Sequence, residues 1–433
     1  MRILWIKIGG LWPCNTGGRL RSFHLLRELS KQHTVTLLTS SDDVEQERAL
    51  RAQLPQCREI ICIPHRMPKW RSLRFALALV GSWLSALPVD MRRSRIARLR
   101  AEAARRLAVG DIDLCVADFL AAMPNAPAAP GVPLLLFEHN VEHMIWKRLA
   151  EVESRPWRRA LLELEWRKLR SYEAMACRRA TLTVTVSPVD QARLTKLAAA
   201  ARIQAVPTGV DTEYFTPNDA TEIPGSIVYV GSMDWRPNED AVLHFIREIL
   251  PRVREAVPEA HFTVVGKNPS DTLRSAAQRS GVALTGTVDD VRPHLRQAAV
   301  CVVPLRIGGG TRLKIFEALA MGKALVSTPI GAEGLPLVHG RHFLCAEAPS
   351  AFANAVITLL RDPARRRALG HAGRELVEHR YAWAQVATEF EHLCRQACEM
   401  QHGAPRHARG HVTAQANAHA QAATLPPQLQ QRR

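Results

Sequence analysis

Between Val300 and Ser327 the chain reads strand, glycine turn, helix, strand, and that order leaves few ways to fold. Val300 to Leu305 is an apolar strand, Gly308-Gly309-Gly310 a turn, the run through Met321 a helix, and Ala324 to Ser327 a second strand. Strands that alternate with helices in this way build a parallel, doubly wound sheet. The turn also carries chemistry. Glycines at a helix N-terminus let an anion approach the backbone, whose unpaired N–H groups point at it. Arg312 and Lys314 add full positive charge in the same turn. Cations there oppose the helix dipole, so a bound phosphate explains them better than helix stability does. Glu317 lies one turn further in, where a carboxylate can accept from two hydroxyls of a sugar ring.

The alternation runs through the whole chain. In the first half, Met1 to Ile8 reads as a strand. A glycine turn at Gly17-Gly18 follows, then a helix from about Leu20 to Ser30 and a strand from His33 to Leu38. Further strands fall at Leu114 to Ala117, Leu134 to Phe137 and Leu182 to Val186. Between the last two, Leu162, Trp166, Leu169 and Tyr172 recur on one face of a core helix. Val206-Pro207-Thr208-Gly209-Val210-Asp211 interrupts regular structure and links two halves. The second half has strands at Ile227 to Val230, Phe262 to Val265, Ala283 to Leu284, Val300 to Val303 and Ala324 to Ser327.

The expected fold class is α/β, with two Rossmann-like domains facing each other across a cleft. The domains are residues 1–205 and 225–378, joined by a linker at 206–224. A C-terminal helix at 379–400 could cross back to the first domain. Residues 401–433, rich in Ala, Gln, His, Pro and Arg, read as a disordered tail.

At 433 residues the chain is long enough for those two domains. Its formal charge of +17 points to acidic partners: nucleotide phosphates, anionic lipid or nucleic acid. Nothing but charge speaks for nucleic acid, since no recognition motif is present. Nine scattered cysteines lack zinc-site spacing and fit reduced thiols in the cytoplasm. The N-terminus lacks a signal-peptide pattern. The apolar run Phe75 to Pro88 is too short to span a bilayer. It reads first as a buried helix; with arginines on either side it could instead lie on a membrane surface.

Here the residues match a family. The second half resembles the retaining glycosyltransferases of family 4, which have the GT-B fold. The matching segments are Tyr229-Val-Gly-Ser-Met-Asp-Trp-Arg-Pro-Asn238, Phe262-Thr-Val-Val-Gly266, Leu284-Thr-Gly-Thr-Val288 and Gly308 through Leu335. The linker Val206 to Phe215 also resembles the family's interdomain segment. The first half resembles it more loosely, through Gly17-Gly18 and Glu138-His139-Asn140-Val141-Glu142.

The resemblance implies a nucleotide-sugar donor held by the C-terminal domain and an acceptor on the N-terminal side. Glu317 matches the second glutamate of the family's Glu-x7-Glu signature; the first would fall at Gly309 and is missing. The family's arginine and lysine phosphate ligands are not clear after Gly231. Arg312 and Lys314, with Arg236, are read as supplying that charge instead. His139 is similar to the family histidine that contacts the donor sugar; a strand-end histidine satisfied inside the protein is the other reading. Asp118, at a strand end, is a weaker candidate for the acceptor side. Gly17, Gly18, Gly231, Gly266, Lys267, Val288, Gly309, Gly310 and Thr311 complete the expected donor contacts. No metal or other cofactor is expected. The implied activity is retaining transfer to a glycan or a lipid-linked acceptor at the inner membrane face, in polysaccharide or cell-envelope glycan synthesis. The missing first glutamate leaves a non-catalytic binding subunit open, and the fold is shared with sugar-nucleotide epimerases.

Overall fold

Apolar runs of four or five residues, bounded by glycine, proline or charge, are too short for helices and too uniformly apolar for a sheet with one wet face. They become strands buried on both sides. The computed structural model describes residues 1–14, 16–67, 72–128, 131–153, 155–218, 222–307 and 313–402. In it, β1 (Arg2–Lys7), β2 (Thr34–Ser41), β3 (Glu59–Pro64), β4 (Leu114–Asp118), β5 (Leu134–Phe137), β6 (Leu182–Thr185) and β7 (Ile203–Ala205) form one sheet. Its order is β3-β2-β1-β4-β5-β6-β7, and all its pairs are parallel.

The second sheet contains β8 (Ser226–Val230), β9 (His261–Val265), β10 (Ala283–Leu284), β11 (Val300–Val303), β12 (Ala324–Ser327) and β13 (Leu344–Cys345). Its order is β10-β9-β8-β11-β12-β13, again parallel throughout. Strand order reverses beside β1 and β4 in the first sheet, and beside β8 and β11 in the second. Ligands of such sheets bind beyond the carboxyl ends of the strands at these switch points.

Three strands have no counterpart in the sequence reading. β7 and β13 are edge strands of three and two residues, too short to show a period. β3 is only half-buried and pairs on one side alone. The Gly17-Gly18 pair is also placed differently. These glycines are the first two residues of the helix Gly17–Leu29, not a turn before it, and Thr16 caps that helix by accepting from the Arg19 N–H.

The C-terminal helix Trp383–His402 belongs to the core of the first sheet. Phe390 lies 5.7 Å from Trp5 and 5.0 Å from Phe137, ring centre to ring centre. Trp383 closes over Gly209, where a Cβ would come within 2.7 Å of the indole. Arg374 ties the linker to the second domain by donating to the carbonyls of Phe215 (2.7 Å), Thr212 (3.2 Å) and Ala320.

The helix Leu73–Trp83 corrects the expectation of a buried element. It does bury Phe75, but Leu73 (77% exposed), Leu77 (64%), Val80 (48%) and Leu84 (84%) run along a solvent-facing stripe. No helix among the described residues is long and apolar enough to cross a membrane.

Candidate active site

Register assembles the floor of the cleft. β1 pairs with β4 so that Lys7 stands beside Asp118, each the last residue of its strand. β5 ends at Phe137, opposite Asp118, and the chain turns there to present His139. Lys7 Nζ lies 3.2 Å from Asp118 Oδ2 and donates to Ser22 Oγ at 2.9 Å. Asp118 also accepts from Trp5 Nε1 at 2.9 Å, and its Oδ1 lies 2.7 Å from His139 Nε2. Arg21 donates to His139 Nδ1 (2.9 Å) and to Thr208 Oγ1 (2.9 Å).

These contacts decide the tautomer. A guanidinium can only donate, so Nδ1 must accept. The ring proton then sits on Nε2 and is given to Asp118. Burial lowers the His139 pKa to about 3 against the pull of Asp118, and Arg21 and Lys7 add to the lowering. His139 is therefore a neutral imidazole with both nitrogens engaged. Burial alone would raise Asp118, but Lys7 and His139 outweigh it and hold the carboxyl well below its ordinary range. Lys7 is lowered by burial, which Asp118 only partly offsets.

Phe119 covers this network. Its ring stacks on His139 at 3.7 Å between centres and 7° between planes, with Lys7 Nζ 4.2 Å from its centroid. Its φ of 73° is left-handed, a conformation that costs a non-glycine residue about 1–3 kcal/mol. Gly18 makes room for it, because a Cβ there would lie 2.3 Å from the Phe119 ring. Gly17 faces the other domain, with Leu313 Cδ1 3.6 Å from the position of its Cβ.

The second domain supplies the opposite wall. Lys314 and Glu317 sit three residues apart on the helix Leu313–Ala320, and both line the cleft. Lys314 Nζ donates to Tyr229 Oη (2.8 Å) and Asn238 Oδ1 (2.9 Å), and lies 4.2 Å from the Tyr229 ring centre. It passes directly over Gly231, where a Cβ would be 2.6 Å from Nζ. Helix Leu313–Ala320 thus delivers a cation to the end of β8, where the segment after Gly231 provides none facing the cleft. The Glu317 carboxylate has no hydrogen-bond or ion-pair partner among the described residues. Burial raises its pKa to about 7, with Lys314 opposing. Together the two walls enclose a cleft of about 880 Å³, within the range of roughly 300–1,000 Å³ usual for small-molecule sites.

Of the residues read from sequence, Gly17, Gly18, His139, Gly231, Lys314 and Glu317 line this cleft. Gly309, Gly310, Thr311 and Arg312 lie outside the described residues. Five others are not on the lining. Asp118 is wholly buried beneath it, in the network with Lys7 and His139. Arg236 is exposed at the start of the helix Arg236–His244. Lys267 is also exposed, and its carbonyl accepts from the Met233 N–H at 2.9 Å. Gly266 is required by packing, since a Cβ would fall 1.8 Å from the Gly231 carbonyl oxygen. Val288 packs against the core of the second domain.

Lys7, Arg21, Phe119, Trp235 and Asn238 also line or support the cleft without having been singled out. Lys7 was legible as a charge at the carboxyl end of an apolar strand. Asn140 and Glu142 line the first domain's wall of the cleft, whereas Glu138 is buried away from it. Burial and the nearby Glu173 push the Glu138 carboxyl well above its usual range. Among the described residues no group of three or more His, Cys, Asp or Glu side chains is arranged to hold a metal ion.

Two family models together cover most of the chain. One, described as Glycosyltransferase Family 4, matches residues 17–214; the other, Glycosyl transferases group 1, matches residues 224–362. The chain belongs to the family 4 glycosyltransferases.

Among relatives of this family 4 glycosyltransferase is the GDP-mannose-dependent alpha-(1-6)-phosphatidylinositol monomannoside mannosyltransferase of Mycobacterium tuberculosis. It is 30% identical over 222 residues, covering 45% of this chain and 56% of the relative. The phosphatidyl-myo-inositol mannosyltransferase of the same organism is 28% identical over 201 residues, covering 43% and 52%. The chain spans about half the length of the curated relatives it matches. Sucrose-phosphate synthase from Thermosynechococcus elongatus superposes with a TM-score of 0.63 at 19% identity, over 92% of this chain and 99% of that one. HepE from Anabaena, in complex with UDP, gives 0.64 at 14% identity, over 92% and 100%. These likenesses show the GT-B fold: two Rossmann-like domains across a cleft.

Proposed function

We propose that this protein transfers a sugar from a nucleoside-diphosphate donor to a lipid-linked or glycan acceptor, with retention at the anomeric carbon. The observation that carries the reading is the Lys314–Glu317 pair. One helix face presents a cation beside Gly231 and an open carboxylate one turn away. A diphosphate and a ribose of one ligand would be met by such a pair.

Departure of the diphosphate leaves negative charge that must be stabilised where it develops. Lys314 supplies part of that charge, and Lys7 and Arg21 make the opposite wall positive. Glu317, accepting from ribose hydroxyls, anchors the nucleoside. His139, held neutral with both nitrogens engaged, is poorly placed to remove a proton. A front-face reaction, in which a donor phosphate oxygen takes the acceptor proton, asks nothing of it but shape. Asp118, Arg21 and Phe119 fix its ring as part of the floor under the reacting sugar.

The relatives' names support a lipid-linked acceptor, and the exposed apolar stripe of the helix Leu73–Trp83 supports a seat on a membrane surface. Envelope glycan or polysaccharide synthesis is the setting this implies. The base remains to be chosen by experiment, since the named relative uses GDP-mannose and the solved neighbour holds UDP.

The test is thermal stabilisation by UDP, GDP, ADP, CMP and TDP, on wild type and Glu317→Ala. Stabilisation by one diphosphate, lost in the variant, supports the donor site and names the base. No shift with any of them would sink the transfer reading in favour of a non-catalytic binding subunit.

A further inference from the structure

A second cavity, of about 490 Å³, lies behind the acceptor side of the cleft. Its lining is mostly apolar, with Phe75, Leu79, Trp146, Trp157, Leu161 and Leu162, and carries Glu153, Arg158 and Glu165 among them. Trp157, 60% exposed, stands at its rim. Contiguous apolar surface that stays wet marks a binding site more often than a packing defect.

The wall between this cavity and the cleft is thin and ordered. Val89 faces the cavity, while its neighbours Asp90 and Met91 face the cleft. Trp146 Nε1 donates to Asp90 Oδ2 at 3.1 Å across that wall. Glu165 pins the surrounding helices by accepting from Ser82 Oγ (2.8 Å) and the Val89 N–H (2.8 Å). Positive charge sits at the boundary. Arg93 lines the cleft, pairs with Asp90 at 2.8 Å and lies 5.9 Å from the ring centre of Phe75. Arg158 lies 5.0 Å over Trp157.

We infer that this cavity holds the hydrocarbon chain of the acceptor lipid, with the acceptor's phosphate facing Arg93 and its sugar entering the cleft past Asp90. This rests on the reading of a lipid-linked acceptor. An apolar slot, an arginine paired with Asp90 at its boundary and a polar cleft on the other side follow the order of chain, phosphate and sugar in such a molecule. A water-soluble glycan would gain nothing from the slot.

The test uses the full chain and 12-bromododecyl phosphate, kept below its micelle concentration. Bromine on the chain quenches nearby tryptophan, and Trp146 and Trp157 line the cavity. The expected result is saturable quenching that inorganic phosphate does not produce. It should weaken at least tenfold in Leu161→Glu, and in Leu79→Phe as a second variant should the first fail to fold. Arg93→Ala should weaken it several-fold. Quenching that does not saturate, is unchanged in both cavity variants, or arises only from brominated lipid in vesicles would overturn the inference. The nucleotide shift is read separately. Alkyl phosphate binding without any nucleotide shift leaves the cavity standing and sinks the transfer reading; a nucleotide shift without saturable quenching does the reverse.

Discussion

Lys314 and Glu317 lie three residues apart on one helix, and that spacing turns both toward the cleft. The pair makes three predictions. Glu317 has a folded pKa of about 7, above its ordinary 4.5, because burial disfavours its charge. Its contribution to stability is therefore fully present below pH 4.5 and is lost as pH rises through about 7. After allowance for its partial exposure, that loss is roughly 1–2 kcal/mol. Denaturant melts at pH 4.5 and near pH 8 should show it in wild type and not in Glu317→Gln. The same variant should bind nucleoside diphosphate more weakly, because the ribose prefers the ionised carboxylate. A charge-assisted hydrogen bond is worth about 1.5–3 kcal/mol. Lys314→Met should then lower diphosphate affinity about tenfold to a hundredfold and leave the parent nucleoside unchanged. Titration calorimetry with the diphosphate and its nucleoside decides between this and a purely structural lysine, which would weaken both.

At the scale of elements, the helix Gly17–Leu29 begins with two glycines that have different reasons to be there. A methyl at Gly18 would strike Phe119 and push it off His139. Such overpacking typically costs about 1–3 kcal/mol. A methyl at Gly17 meets Leu313 at an ordinary contact distance. Gly18→Ala should lower the melting temperature and abolish transfer, whereas Gly17→Ala should leave melting nearly unchanged. Equal melting of the two variants would contradict the role given to Phe119. This distinction could not be read from sequence, where the two glycines are adjacent and look alike. The fate of Phe75 to Pro88 was equally hidden. Hydropathy showed an apolar run, but which face a helix presents to solvent depends on neighbours far away in sequence.

On the scale of the whole molecule, the last helix fastens the two domains together. Trp383 and Phe390 complete the first domain's core although they follow the second domain in sequence. Truncating a buried aromatic costs about 3–5 kcal/mol, so Phe390→Ala should destabilise the N-terminal domain by that amount. Hydrogen exchange resolved by peptide would place the loss in β1 and β5 rather than in the second sheet. Deleting the chain from residue 383 onward should leave that domain unable to fold. Acid should act on the same half of the molecule. His139, held near 3 by burial, gives stability above its unfolded pKa of about 6.5, which is lost as pH falls from there toward 3. A melt from pH 7 to 4 should show loss of the first domain before the second.

The sequence by itself determined the kind of fold. Short apolar runs alternating with helices have one stable solution, a parallel sheet covered on both faces, and two sets of them make two domains. It also put Lys314 and Glu317 on one helix face, because their spacing and the apolar residues around them are local. Tertiary structure decided what depends on distant partners. Lys7, Asp118 and His139 meet only because β1, β4 and β5 pair in one register. Arg236 and Lys267, equally good cations on paper, point to water instead. Gly266 makes room for the Gly231 carbonyl. Local pattern follows from backbone periodicity, which a sequence displays; electrostatic partnership and exposure follow from three-dimensional distance, which it does not.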